Sequence, residues 1–151
     1  MTDHSAAPAI ELARTDRQIQ DCFATMVQLR THLAAGDFVT RVRRMEGEGY
    51  QLAALRVGAR VEAVAGFRVF ENLHTGRLLY VDDLVTSTDA RSRGHGARLL
   101  EWLARYAVEQ GCVAIELDSG TQRHQAHRFY FREGMHIANY HFTRSLAEGA
   151  S

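Results

Sequence analysis

The chain has 151 residues, 46% of them hydrophobic and 24% charged, with 18 basic and 18 acidic side chains and no formal net charge. That length favours one domain with a real core. Zero net charge argues against broad capture of nucleic acid or an anionic membrane, but leaves room for a local basic site for one phosphate group. The two cysteines, Cys22 and Cys112, lie in apolar patterns and read as reduced buried thiols, not as a disulfide. No apolar run approaches membrane-spanning length. The opening residues lack the basic-then-apolar order of a secretory signal. A cytoplasmic protein is the expectation.

In chain order, residues 1–9 are expected to form a flexible tail and 10–147 one domain. Ile10 to Ala13 reads as a short strand. Thr15-Asp16 can cap a helix whose apolar face is Ile19, Cys22, Phe23, Met26 and Val27. A second helix is expected after Gly36, ending near Gly47-Glu48-Gly49. Tyr50–Val57 and Val61–Phe70 read as strands joined by the hairpin signal Gly58-Ala59-Arg60. His74-Thr75-Gly76-Arg77 turns into a third strand, Leu78 to Thr86. A long amphipathic helix opens at Gly96 and stops at Gly111. Leu99, Leu100, Leu103, Ala107 and Val108 mark its buried side; Glu101 and Arg105 stand at pairing distance on its wet side. Cys112–Leu117 is the next strand, Thr121–Glu133 a short helix, and His136–Leu146 a last long strand or bent strand pair. Strands alternating with helices after a leading meander indicate one α/β domain, a mixed sheet with helices on both faces.

The chemistry concentrates at the joint between the third strand and the long helix, Arg91-Ser92-Arg93-Gly94-His95-Gly96. Glycines let backbone approach a ligand. The first N–H groups of a helix have no internal partner and suit a phosphate. Two arginines add charge and bidentate donors. A dinucleotide fingerprint would need a glycine where Leu99 stands, and a Walker loop would need a Gly-Lys-Ser/Thr triplet, which the chain lacks. The turn fits the Arg/Gln-x-x-Gly-x-Gly/Ala signature at every defined position. Asp83-Leu84-Val85 precedes it in the strand. Ala126, Tyr130 and Gly134 follow in the spacing Ala-x-x-x-Tyr-x-x-x-Gly. On these residues the chain resembles the GNAT superfamily of acyl-CoA-dependent N-acyltransferases, strongly over residues 50–146 and by element order before them.

The resemblance implies a GNAT-like fold, with a mostly antiparallel sheet that splays where acyl-CoA enters. It implies acetyl-CoA as co-substrate, its pyrophosphate on Arg91, Ser92, Arg93, Gly94, His95, Gly96 and Ala97, and its pantetheine arm on the backbone of Leu84, Val85 and Thr86. Tyr130 stands where the family has a general acid, and a phenol stays protonated near neutrality. Asp83 stands beside Leu84-Val85, where many members carry a base. Asp82 is the reserve, because a bulge would swap which aspartate faces the cleft. Either aspartate can instead pair with an arginine or hold a turn, and Tyr130 can instead anchor its helix beside Phe129 and Phe131.

Arg123 replaces a frequent family asparagine and either meets a phosphate or faces water. His124 and His127 share a helix face without a zinc motif, so no metal is expected. The implied activity is direct acetyl transfer to a small-molecule or peptide amine; a non-catalytic acyl-CoA-binding module is the alternative. The chain's ending is weakly similar to small-amine members such as aminoalkylphosphonate acetyltransferases. No nucleic-acid or membrane partner is expected. The long aromatic last strand, at a sheet edge, invites a second copy, so a homodimer is expected.

Overall fold

The computed structural model describes residues 6–147, so residues 1–5 of the expected tail lie outside the described residues. The chain divides into two compact units at Leu117/Asp118. The first opens with β1 (Ala9–Leu12), then α1 (Asp16–Asp21), α2 (Phe23–Leu29) and α3 (Phe38–Glu46). The meander follows as β2 (Gln51–Val57), β3 (Arg60–Asn72) and β4 (Gly76–Thr86). Then come α4 (His95–Glu109) and β5 (Ala114–Leu117). The five strands lie in sequence order, antiparallel up to β4 and parallel between β4 and β5. This is the mixed, mostly antiparallel sheet expected.

Helices cover both faces of that sheet. Ile19, Cys22, Met26, Phe38 and Val42 pack with Leu52, Ala54, Val64 and Val85 on one side. Leu99, Leu103 and Ala107 of α4 pack with Ala53, Leu55, Ala65, Phe67 and Leu79 on the other. Alternate strand residues feed alternate cores, as the pleat requires. Thr15 caps α1 in a full capping box with Gln18. The expected first helix breaks at Cys22, whose N–H bonds to Ile19 O in the i−3 register. Both cysteines are free: Cys22 is buried and Cys112 partly so. Glu101 and Arg105 meet at 3.8 Å. Val108 departs from expectation: it is 74% exposed, because the face of α4 that meets the sheet ends at Ala107.

Two β-bulges interrupt the meander, and each falls on an acidic residue. Leu55 pairs with Ala63 and Arg56 with Val61, leaving Glu62 as the extra residue of β3. Gly66 pairs with Asp83 and Phe67 with Val81, leaving Asp82 as the extra residue of β4. A bulge re-aims the side chains around it. Leu79 and Val81 face the α4 core, yet Val85 faces the opposite one.

The second unit holds α5 (His124–Arg132), closed by Gly134 at φ 84° with the Met135 N–H on Tyr130 O. The last strand expected over His136–Leu146 is not formed: those residues carry no strand. A strand exists only as paired backbone, and within this unit the segment has no second strand to pair with. Ile137, Tyr140, Phe142 and Leu146 are each at least 70% exposed.

Candidate functional site

The turn between β4 and α4 is fixed from three directions. Ser87 donates its N–H to Glu62 O at 2.8 Å, and its hydroxyl donates to Asp89 at 2.6 Å. Gln28 of α2 donates to Ser87 Oγ and accepts from the Thr88 N–H. Arg60 pairs with Asp89, and Ala90 is buried. The Ser87 hydroxyl, and then Arg60, hold the Asp89 carboxyl below its ordinary value.

Beyond this base the backbone takes two left-handed residues, Ser92 at φ 66° and Gly94 at φ 78°. Ser92 is the one non-glycine residue with positive φ among the described residues. Left-handed residues are among the building blocks of backbone concavities that hold anions, and strain of this kind collects at functional sites. Gly94 is the N-cap of α4 and has no side chain to cap it, so the opening N–H groups of His95, Gly96 and Ala97 are left for another partner. A Cβ built at Gly94 meets nothing within 4 Å. Arg91, Ser92 and Arg93 are exposed around it. His95 is buried instead, its Nε2 2.9 Å from Glu62 Oε1.

The aspartates meet a network that the sequence did not display. Arg30, at the end of α2, donates from Nε to Asp83 Oδ1 and from Nη2 to Asp82 O, both at 2.8 Å. The Tyr50 hydroxyl donates to Asp83 Oδ2 at 2.7 Å. Arg68 grips both oxygens of Asp82 and lies over the Tyr50 ring. Through these shared partners the bulge brings both carboxylates to one cluster rather than choosing between them. The pairing with arginine, left open from sequence, holds for both. Burial raises the Asp82 carboxyl above its ordinary value, and Arg68 opposes this only in part. Burial, then the Asp83 charge, pushes the Tyr50 phenol well above its ordinary range, so Tyr50 remains a donor. Gly66 makes the room: a Cβ there would overlap the Tyr50 hydroxyl and Asp83 Oδ2. Glu48 lies 3.6 Å from Arg68, so two arginines face three carboxylates. One negative charge is left over when all are ionised.

Leu84, Val85 and Thr86 pair with β3 on one edge. On the other, β5 stops opposite Val81. Among the described residues no strand covers the outer edge of β4 beyond that point, which leaves main-chain groups for an extended ligand.

In the second unit, Tyr130 is half-buried in α5, and burial raises its phenol above the ordinary value while Arg123 opposes. Its ring meets Phe129 edge-on at 5.5 Å, whereas Phe131 is 53% exposed and anchors little. Arg123 precedes α5 and is exposed. His124 and His127 do share a face, with ring centroids 6.0 Å apart, and His127 Nε2 lies 2.8 Å from Gly120 O. Among the described residues no third metal-ligating side chain joins them.

The glycine turn that opens α4 lies beside an open strand edge, and the chain is related to known proteins. The acetyltransferase (GNAT) family model matches residues 19–135. The chain belongs to that family. It is 35% identical over 131 residues to the N-acetyltransferase YhdJ of Bacillus subtilis, itself uncharacterized, covering 83% of this chain and 90% of that one. It is 33% identical over 97 residues to an aminoalkylphosphonate N-acetyltransferase of Salmonella typhimurium, 64% of this chain and 62% of that one. An aminoglycoside N-acetyltransferase solved with CoA superposes with a TM-score of 0.82 over 97% of this chain and 100% of that one. At 10% identity that likeness concerns the fold. Among the described residues no helix is long and apolar enough to cross a membrane.

Proposed function

We propose that the protein transfers an acetyl group from acetyl-CoA to a primary amine by direct attack. The Arg91–Gly96 turn carries this reading, since its left-handed residues and uncapped helix start suit a pyrophosphate. Arg91, Ser92, Arg93, Gly94, His95, Gly96 and Ala97 hold the pyrophosphate, and Arg123 meets a phosphate. The backbone of Leu84, Val85 and Thr86 takes the pantetheine arm, and an N–H there serves the oxyanion. The amine nitrogen attacks the thioester carbonyl; the C–N bond forms and the C–S bond breaks. The excess negative charge around Asp82 and Asp83 attracts the ammonium form, and one of the two carboxylates takes its proton through water. After C–N bond formation the nitrogen releases its second proton to solvent; Tyr130, in the second unit, donates a proton to the departing thiolate and regains one from solvent, and the motif match supports this role.

The acceptor is a small or peptide amine, and the relative named for an aminoalkylphosphonate substrate favours the small one. No metal takes part in this scheme. A cytoplasmic location and a homodimer belong to the same reading. The test is thiol release from acetyl-CoA across a panel of primary amines that includes aminoalkylphosphonates. Release that depends on one amine class supports transfer. The arginine pairs on both aspartates favour a second reading, a non-catalytic acyl-CoA-binding module. Tight CoA binding with no release on any amine would select it, and no CoA binding at all rejects both.

A further inference from the structure

Glu62 is an unusual residue for its place. It sits in the apolar run Val61-Glu62-Ala63-Val64-Ala65, and its side chain is only 4% exposed. A buried carboxylate is expensive unless it is paired and hydrogen-bonded. The β3 bulge aims this one at the phosphate turn. Its Oε1 lies 2.9 Å from His95 Nε2 and 3.4 Å from Arg93 Nη1. Its carbonyl accepts the Ser87 N–H at the other end of the same loop.

With Glu62 ionised, His95 Nε2 must carry the proton. His95 Nδ1 is buried with no hydrogen-bond partner, so the hydrogen bonding of that ring rests on its contact with Glu62. Arg93 is half-exposed, with one nitrogen at Glu62 and the rest of its fork available outside. One carboxylate therefore touches the first residue of α4 and one of the turn's two arginines. Electrostatics alone would make it a poor neighbour for an anion, since like charges repel. Its worth there must come from geometry.

We propose that Glu62 is a positioning residue for the coenzyme: through His95 and Arg93 it holds the phosphate turn in its binding shape. The proposal rests on the acetyl-CoA reading of that turn. Glu62 touches no reacting atom. It sets the direction of the opening N–H groups of α4 through the His95 ring, and the reach of Arg93 through its charge.

The test compares two thioesters on Glu62→Gln, which keeps the shape and one acceptor oxygen but removes the charge. Acetyl-CoA carries the pyrophosphate; S-acetyl-N-acetylcysteamine does not. The Kd for CoA and the KM for acetyl-CoA should rise about tenfold, the loss of one charge-assisted contact. The kcat at saturating acetyl-CoA, and the rate with the truncated thioester, should stay within about twofold. An equal loss on both thioesters would mean general damage to the fold and overturn the proposal. Unchanged or tighter CoA binding would overturn it too, leaving charge repulsion as the stronger effect. If Glu62→Gln does not fold, Glu62→Asp, which keeps the charge but draws it back by one methylene from His95 and Arg93, carries the same selective expectation, with the same reversals. Wild-type protein that binds no CoA would instead reject the acetyl-CoA reading itself, so the two failures are distinguishable.

Discussion

Gly66→Ala would add a methyl group where the Tyr50 hydroxyl and Asp83 Oδ2 already sit. The expected loss is about 1–3 kcal/mol, the usual cost of overpacking, read by chemical denaturation. Tyr50→Phe removes the nearest of the three obstructing atoms, so the double variant should recover part of that loss; strict additivity would show that the two sites do not touch. Tyr130→Phe separates chemistry from packing: it keeps the ring and removes the proton. Turnover should fall about 10²- to 10⁴-fold while CoA affinity holds; near-normal turnover would make Tyr130 a packing residue. The Arg91–Gly96 turn and the helix behind it were legible because the six residues are adjacent and their conformational signals are local. The aspartate network was not. Arg30, Tyr50 and Arg68 stand 53, 33 and 14 residues away from their aspartates, and only the folded sheet brings them in. Glu62 did leave a signal, a charge inside an apolar run that also contains no turn residue. It needed a reason to be buried, and the histidine in the turn supplies one.

Helices and strands of the meander were readable because each carries its own punctuation. The Thr15 capping box, the Gly58 hairpin and the Gly111 stop all act over a few residues. The interruption at Cys22 and the two bulges were not readable, since tertiary packing sets them. Burial at that interruption pushes the Cys22 thiol up to about 12 from an ordinary 9.0. Between those values the unfolded chain releases a proton that the folded chain keeps, so stability falls as pH rises through that window. The slope from this group approaches about 1.4 kcal/mol per pH unit. Cys22→Ala should lose that part of the alkaline slope, although it is less stable at neutral pH; equal slopes between pH 9 and 12 would contradict a buried thiol. In the turn, Ser92 holds a left-handed φ that costs a non-glycine residue about 1–2 kcal/mol. Ser92→Gly should raise stability by a few tenths to about 1 kcal/mol after the entropy of the freer unfolded chain is subtracted. Its CoA affinity should not change, because glycine keeps the backbone N–H that Ser92 contributes to the proposed pyrophosphate site. By contrast, valine at both Gly94 and Gly96 should abolish CoA binding in calorimetry while α4 still forms.

At the scale of the molecule the expectation most exposed to error is the last strand, and with it the dimer. The segment His136–Leu146 has the alternating aromatic and polar composition of a strand, yet no ladder forms within its own unit. Composition states a capacity for pairing; only a partner realises it. Ile137, Tyr140, Phe142 and Leu146 leave large apolar side chains in water, and burying each fully is worth about 1.5–3 kcal/mol. A second copy offers an identical segment, and like segments pair about a two-fold axis at no cost in new sequence. Homodimerisation through 136–146 therefore predicts twice the chain mass in light scattering at micromolar concentration. Phe142→Asp would place a charge in the shared patch and should move the mass toward one chain, with Tm falling at high protein concentration more than at low. A single-chain mass for the wild type across the whole range would reject the dimer. A dimer mass unaffected by Phe142→Asp would place its interface elsewhere on the molecule.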